Sequence, residues 1–117
     1  MSSQKNIIIQ ITAETLVINK DSIQKENFIG TLKSLIKKNN NAVLRVSFNK
    51  HLNYETYINQ LFEIQTAYFE LRNEYSKAVF KIADYLELEY EEKRNVRNQF
   101  PMKIHEINEE EIEKYAL

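Results

Sequence analysis

The stretch that decides the fold is AVLRVSF, residues 42–48, together with the long segment that follows it from residue 54 to residue 80. In the first stretch Leu44, Val46 and Phe48 occupy alternate positions, so they share one face of a β-strand. In the second segment apolar residues recur every three or four positions, which is the spacing of one helical face. A strand followed by a long amphipathic helix predicts a sheet with that helix packed on it.

The long helix is expected to run from Tyr54 to Phe80, because Asn53 is a favourable N-cap residue. Its core-facing stripe is predicted to contain Tyr57, Leu61, Ile64, Tyr68, Leu71 and Tyr75, widened by Ile58, Phe62 and Phe69. Such a helix is about 40 Å long, roughly twice a typical strand, so its distal half needs another cover. A helical pattern over residues 83–100, stopped by Pro101, is expected to supply that cover.

Further strands and one more helix flank this central unit. On the N-terminal side, residues 6–12 and 15–18 predict two β-strands, and residues 24–38 predict a helix that covers them. On the C-terminal side, residues 102–107 alternate in the manner of a last strand. The acidic residues 108–117 predict a frayed tail with one helical turn.

The predicted fold class is therefore α+β. We expect a small mixed β-sheet with helices packed on one face, in the order β-β-α-β-α-α-β. Strands linked by a helix are expected to lie parallel, because such crossovers pack back onto the sheet. Residues 7–108 are predicted to form the domain, residues 1–6 a linker, and residues 109–117 an acidic C-terminal tail.

Composition restricts the class of protein to a single globular domain of 117 residues. The formal net charge of −1 argues against a nucleic-acid binder that relies on overall positive charge. The two parts of the chain differ, however, because residues 1–50 carry eight basic and three acidic residues, whereas residues 51–117 carry eight and fourteen. Complementary halves within one domain explain this asymmetry, and a dipolar surface that meets a charged partner is the alternative.

No sequence pattern indicates catalysis, a cofactor or a metal centre. The chain has no cysteine and one glycine, which excludes thiolate ligands, thiol nucleophiles and a glycine-rich phosphate loop. His51 and His105 lack a ligand-like partner at short spacing, so we expect structural roles for both. The glutamates of residues 87–92 and 109–113 are expected to form solvated faces. The chain is therefore predicted not to be an enzyme and to hold no cofactor.

The edges of a small sheet with Ile-rich strands must be covered or paired. The first strand carries little charge, so we expect it and the last strand to pair with a second copy of the chain or with an extended peptide. Edges that are covered within the domain are the alternative. The candidate partner strands contain Ile7, Ile9 and Ile11 in the first and Lys103, Ile104, His105 and Ile107 in the last.

Two long segments resemble the periplasmic domain of the ExbD/TolR family, and its Bacteroidetes-type ExbD members in particular. They are LNYETYINQLFEIQTAYFELRNEYSKAVF, residues 52–80, and LELEYEEKRNVRNQFPMKIHEINEE, residues 86–110. Tyr54 matches the tyrosine that opens the family's long helix, residues 67–72 match its middle motif, and Phe100-Pro101 stands for its Tyr-Pro step.

Shorter matches extend the resemblance over most of the chain. Residues 104–106, Ile-His-Glu, match the end of the family's last strand. Residues 7–19, IIIQITAETLVIN, resemble its first hairpin, and Arg45 resembles its third-strand arginine.

The resemblance implies a role in energy transduction. ExbD-like subunits lie in the bacterial inner membrane with an ExbB-like pentamer, and they couple the proton motive force to outer-membrane transport through a TonB-like protein. For this chain the resemblance implies a periplasmic domain of a membrane-anchored parent that forms a homodimer. The family's proton-carrying aspartate lies in a transmembrane helix that this sequence does not match. We therefore interpret the chain as a fragment that follows such a helix, with a stand-alone relative as the alternative.

Two other functions remain open at this point. A TolR-like relative would connect to the cell wall and the Tol–Pal system, with peptidoglycan as a partner. A small cytoplasmic adaptor domain would share only the order of the elements. Nucleic acid is not an expected partner of any of them.

Overall fold

The structure is a computed structural model that describes residues 5–115. Its five strands are β1 (Asn6–Ile11), β2 (Leu16–Ile18), β3 (Asp21–Ser22), β4 (Val43–Phe48) and β5 (Ile104–Glu106). Its four α-helices are α1 (Phe28–Lys38), α2 (Tyr54–Phe80), α3 (Tyr90–Gln99) and α4 (Ile112–Tyr115). Short 3-10 turns lie at Lys25–Asn27, Tyr85–Glu87 and Glu109–Glu111.

The strands form one mixed sheet in the order β3-β2-β1-β4-β5. β2 pairs antiparallel with both β1 and β3, as hairpins require, while β4 lies parallel to both β1 and β5. The parallel pairing of β4 with β5 confirms the prediction for strands that are linked by helices. The domain is therefore a small α+β fold with a mixed sheet.

The central position of β1 overturns one expectation about partner strands. Ile9 pairs with Ile18 of β2 on one side and with Val46 of β4 on the other. The side chains of Ile7, Ile9 and Ile11 are at most 4 % exposed. Because both backbone edges of β1 are already hydrogen-bonded within the chain, these three residues cannot form an open partner strand. That part of the sequence prediction is wrong.

A two-residue strand, β3, follows β2 in a segment where the sequence analysis predicted no strand. Asn19 and Lys20 adopt positive φ angles of 50° and 76°, so the chain reverses tightly after β2. The Asn19 side chain accepts a hydrogen bond from the backbone of Ile8 at 2.9 Å, which ties this turn to β1. The reversal brings Asp21 and Ser22 back alongside β2.

The main hydrophobic core lies between one face of the sheet and the two helices α1 and α2. Its members from α1 and α2 lie at helical spacing, as predicted, and they pack against alternate residues of β1 and β4. The largest contributions come from Ile9, Ile11, Ile18, Phe28, Leu32, Ile36, Leu44, Val46, Ile64, Tyr68 and Leu71.

α2 has the predicted bounds, and the Asn53 side chain caps it by accepting from the backbone N–H of Thr56 at 2.8 Å. Its core-facing stripe is narrower than predicted. Phe62 is 65 % exposed, and Ile58 and Phe69 are 39 % and 40 % exposed, so they do not widen the buried face. Helical spacing identifies residues that share a side, but only neighbouring elements decide how much of that side is covered.

The distal half of α2 is covered, as expected for a helix that is much longer than the strands. The chain from Tyr85 to Gln99 turns back along it, and Tyr85, Leu88 and Val96 form a second, smaller hydrophobic cluster. The single helix expected over residues 83–100 is interrupted, because the 3-10 turn Tyr85–Glu87 precedes α3. None of the helices within residues 5–115 combines the length and apolar character needed to span a membrane.

Residues 109–115 do not form a frayed tail. α4 contacts both β1 and β4, and the Arg45 guanidinium lies 4.3 Å from the centre of the Tyr115 ring. Arg45 points away from the main core, so α4 lies on the opposite face of the sheet from α1 and α2. The expectation of helices on one face is therefore wrong for α4. Residues 1–4 of the expected linker and residues 116–117 of the tail lie outside the described residues.

Gly30 is the third residue of α1, and a glycine inside a helix can indicate close packing with a neighbour. A Cβ atom added to Gly30 would meet no other group within 4 Å, so packing does not require glycine here. Glycine costs a helix interior about 1 kcal/mol relative to alanine.

We therefore predict that Gly30→Ala raises the free energy of unfolding by about 0.5–1 kcal/mol, because it restricts the unfolded chain and adds no clash. Urea denaturation of the two proteins measures the difference. A loss of stability in Gly30→Ala would contradict the open surroundings of this position.

Candidate functional site

β5 is an edge strand, and its outer backbone groups are directed away from the sheet. The backbone oxygen of Lys103 accepts from Leu44 of β4 at 2.9 Å, and the N–H of Ile107 donates to Val46 at 2.9 Å. Successive residues of a strand direct their backbone groups to opposite sides, so those of Ile104 and Glu106 point away from β4. This outer edge of β5 is the candidate functional site.

Of the predicted residues in the last strand, Lys103, Ile104 and Ile107 are half-buried and His105 is exposed. Ile104 packs against the main core. The structure therefore keeps the last strand at an edge and separates it from Ile7, Ile9 and Ile11. His51 lies exposed in the loop after β4, away from β5 in the chain.

A buried arginine on α2 determines where the chain enters β5. Arg72 is only 7 % exposed, and its Nε donates to the backbone oxygen of Phe100 at 3.1 Å. Its Nη1 donates to the Tyr85 hydroxyl at 3.2 Å. Arg72 thus joins α2 to the turn before α3 and to the residue that precedes Pro101.

The surroundings of Arg72 are aromatic rather than acidic. Its guanidinium lies 5.9 Å from the centre of the Phe69 ring and 5.7 Å from that of Tyr85. The ion pairs within residues 5–115 join Lys33 and Lys37 to Glu70 and Glu74, and they do not include Arg72. The electron-rich faces of the rings and the two hydrogen bonds stabilise the buried charge.

Two tyrosines of α2 also contact the β5 segment. The Tyr57 hydroxyl donates a hydrogen bond to the Glu106 carboxylate, and this bond raises the pKa of the Tyr57 phenol. Burial raises the pKa of Tyr68, while a hydrogen bond with the backbone of Lys103 acts in the opposite direction. Both tyrosines therefore hold β5 against the same side of α2 as Arg72.

The side of α2 that faces the open edge is apolar near its N-terminus. Tyr54 and Leu61 lie three and four positions from Tyr57, so they share the side of the helix that carries the β5 contacts. The ring of Tyr54 lies 6.3 Å from that of Tyr57 and is 77 % exposed. A strand added beside β5 would therefore have an apolar helix flank close to one of its faces.

The other face of the sheet carries a polar cluster at the same strand. The Arg45 guanidinium donates through Nε to the Asn6 side chain at 3.1 Å, and its Nη1 lies 2.7 Å from His105 Nδ1. The ring of Tyr115 covers the guanidinium. The side chain of His105 thus lies opposite Ile104, as the alternation predicted, and the two faces of β5 differ in polarity.

Sequence reasoning missed several residues of this site. Arg72 and Phe100 both belong to motifs that the resemblance singled out, but their contact joins residues 28 positions apart. Tyr57 was predicted to be a core residue, and its hydroxyl bond to Glu106 has no local signal. One signal could have identified Arg72: it is a charged residue on an otherwise apolar side of the helix, and a buried charge usually has partners.

Comparisons with known proteins add no family assignment, because neither a family model nor a curated protein matches the chain. Among residues 5–115, no group of three or more histidine or acidic side chains is arranged to hold a metal ion. The candidate site is therefore described by its own geometry: an open strand edge, an apolar helix flank and a polar opposite face.

We predict that Arg72→Lys lowers the free energy of unfolding by about 1–3 kcal/mol, since an ammonium group cannot reproduce the two directed hydrogen bonds of the guanidinium. Amide hydrogen exchange should accelerate most in β5. The matched control is Arg97→Lys on the exposed side of α3, which should change stability by less than about 0.5 kcal/mol. Equal effects of the two substitutions would contradict the role given to Arg72.

The Tyr57–Glu106 bond predicts a pH dependence at the alkaline end. Because the folded pKa of Tyr57 is raised above 10.0, its stabilising effect is complete below that pH and is lost as the pH rises through the folded pKa. The stability difference between wild type and Tyr57→Phe should be constant near neutral pH and should decline above about pH 10. Urea denaturation across this range tests it, and an unchanging difference would contradict the bond.

Proposed function

We propose that this domain is a non-enzymatic binding module that receives an extended segment of a partner protein on the outer edge of β5. We further propose that it is the periplasmic domain of an ExbD-like subunit of the bacterial inner membrane. With ExbB-like and TonB-like partners, the parent protein then couples the proton motive force to outer-membrane transport. The parent is membrane-anchored and acts as a homodimer.

The observation that carries the proposal is the outward direction of the backbone groups of Ile104 and Glu106. An extended peptide that pairs with a strand edge gains main-chain hydrogen bonds, and side-chain pockets provide its specificity. At β5 one face of the added strand would approach the apolar flank with Tyr54 and Leu61. The opposite face would approach the polar cluster around Arg45. The favoured partner segment therefore alternates apolar and polar residues.

The shortness of β5 limits what the backbone alone can contribute. With three residues, the strand offers an added peptide few ladder bonds, so side-chain contacts with the α2 flank must supply much of the affinity. Weak backbone pairing that is supplemented by side-chain contacts suits a reversible interaction. A subunit that passes energy to a partner requires such an interaction. The assignment to an ExbD-like subunit rests on the sequence resemblance over residues 52–80 and 86–110.

The test compares two substitutions at one position. Glu106→Pro removes the outward N–H of the strand, and proline is tolerated where an edge N–H faces away from the sheet. Glu106→Ala retains that N–H but loses the bond to Tyr57, so it controls for the side chain. We expect Glu106→Pro to lose partner binding at least tenfold and Glu106→Ala to retain it.

The measurement uses the full parent protein in its own membrane, with a photoreactive residue at Tyr54, which is exposed on the flank of α2. Cross-links to a TonB-like protein that disappear in Glu106→Pro and persist in Glu106→Ala support the proposal. Retention on purified peptidoglycan without such cross-links would favour the TolR-like alternative. A native reading frame that encodes no preceding segment of about twenty apolar residues with one aspartate would overturn membrane coupling and favour the cytoplasmic adaptor.

A further inference from the structure

The polar face of β5 lies beside an arginine whose contacts are neutral groups. Arg45 of β4 and His105 of β5 are cross-strand partners, and Nη1 of Arg45 lies 2.7 Å from Nδ1 of His105. The Nε of Arg45 donates to the side chain of Asn6 at 3.1 Å, and the ring of Tyr115 covers the guanidinium at 4.3 Å. The ion pairs found within residues 5–115 do not include Arg45. Its positive charge is therefore not matched by a carboxylate in the described part of the chain.

Other side chains add to the positive charge of this face. Lys103 lies two positions before His105, so the alternation of a strand places it on the same face. The Nζ of Lys114 lies 5.5 Å from the centre of the Tyr115 ring, which also covers Arg45. The polar face beside the open edge of β5 therefore favours a negatively charged group.

Three glutamates close to β5 in the chain have other hydrogen-bond partners. Glu106 accepts from Tyr57 on the opposite face of the sheet. Glu109 accepts from the side chain of Asn49 at 2.8 Å, and Glu111 accepts from the backbone at the start of its own turn at 2.9 Å. These contacts direct the three carboxylates to groups other than Arg45.

The contact with Arg45 determines which nitrogen of His105 carries the hydrogen. A guanidinium has donors and no acceptor, so Nδ1 of His105 accepts and the hydrogen lies on Nε2. The two ring nitrogens point in divergent directions, so the Nε2–H group is directed away from Arg45 and β4. β5 is the last strand in the sheet, and His105 is exposed. A hydrogen-bond donor of His105 therefore faces the open side of the strand.

A strand added beside β5 would bring one of its side chains close to this donor. Residues directly opposite each other on neighbouring strands have Cβ atoms about 4.5–5.5 Å apart. The residue opposite His105 would direct its side chain to the polar face, within reach of Nε2. The N–H group requires an acceptor, and the charges of Arg45 and Lys103 favour an ionised one. Aspartate and glutamate meet both conditions.

We propose that the partner segment carries an aspartate or glutamate opposite His105, and that the Nε2–H group of His105 binds its carboxylate. Arg45 orients the imidazole ring through Nδ1 and provides positive charge behind it. The inference rests on the proposed function, because it requires strand addition at β5. It names the side chain that the polar face of the added strand must present.

The test compares three synthetic peptides that differ at one position. Each peptide has nine residues, is blocked at both ends, and alternates valine with threonine, except that one central threonine is replaced by glutamate, glutamine or lysine. NMR titrations of the full chain measure the three dissociation constants and follow the His105 ring. We expect the glutamate peptide to bind about three- to fivefold more tightly than the glutamine peptide, and the lysine peptide to bind most weakly, because like charges on facing strands repel.

The outcomes distinguish this inference from the proposed function. A glutamate peptide that binds no more tightly than the glutamine peptide would leave strand addition standing and would overturn the acidic specificity. Tightest binding by the lysine peptide would also overturn it. If none of the three peptides binds at millimolar concentration, strand addition itself is contradicted, and this inference falls with it.

Substitution of His105 tests the assigned donor. His105→Leu removes the Nε2–H group at an exposed position, so the variant should fold. It should abolish the preference for the glutamate peptide over the glutamine peptide and leave the affinity for the glutamine peptide nearly unchanged. The matched control His51→Leu, in the exposed loop after β4, should keep the full preference. Full preference in His105→Leu would overturn the role of His105.

A second variant separates the charge of Arg45 from its effect on the ring. In Arg45→Gln the side-chain amide can still donate to Nδ1 of His105, but the positive charge is removed. The preference for the glutamate peptide should therefore decrease without disappearing, and thermal denaturation verifies that the variant is folded. An unchanged preference in folded Arg45→Gln would contradict the electrostatic part of the proposal.

Discussion

The buried guanidinium of Arg72 is the interaction on which the outer edge of β5 depends. It donates to the carbonyl oxygen of Phe100 and to the hydroxyl of Tyr85, so one side chain on α2 holds both ends of the segment that covers the helix. β5 begins at Ile104, shortly after Phe100. The guanidinium suits this position because its planar fork can donate in two directions while aromatic rings cover its faces.

The order of the strands decides which of them can pair with a partner. β1 occupies the centre and is bonded on both sides, so its isoleucines contribute only to the core. β5 keeps one free edge beside the apolar flank of α2. Strand order, and not the apolar character of a strand, therefore decides which strand can receive a partner.

Local patterns predicted the elements well, and they were least reliable where burial depends on distant neighbours. The bounds of α2 followed from Asn53 and the apolar spacing, because both are properties of neighbouring residues. The same spacing assigned Phe62 to the core, although no element covers it. The first and last strands were both predicted to pair with a partner. The last strand does lie at an edge of the sheet, but the first lies at its centre.

The sequence by itself determined the α+β class and most helix and strand positions. It also excluded thiol chemistry and a glycine-rich phosphate loop. All of these depend on residue type and short-range spacing. Only the tertiary structure decided which strands lie at the edges, that α4 covers the second face, and that Arg72 meets Phe100. Each of these depends on contacts between residues far apart in the chain. Such contacts are selected by the packing of the whole domain, and no local pattern records them.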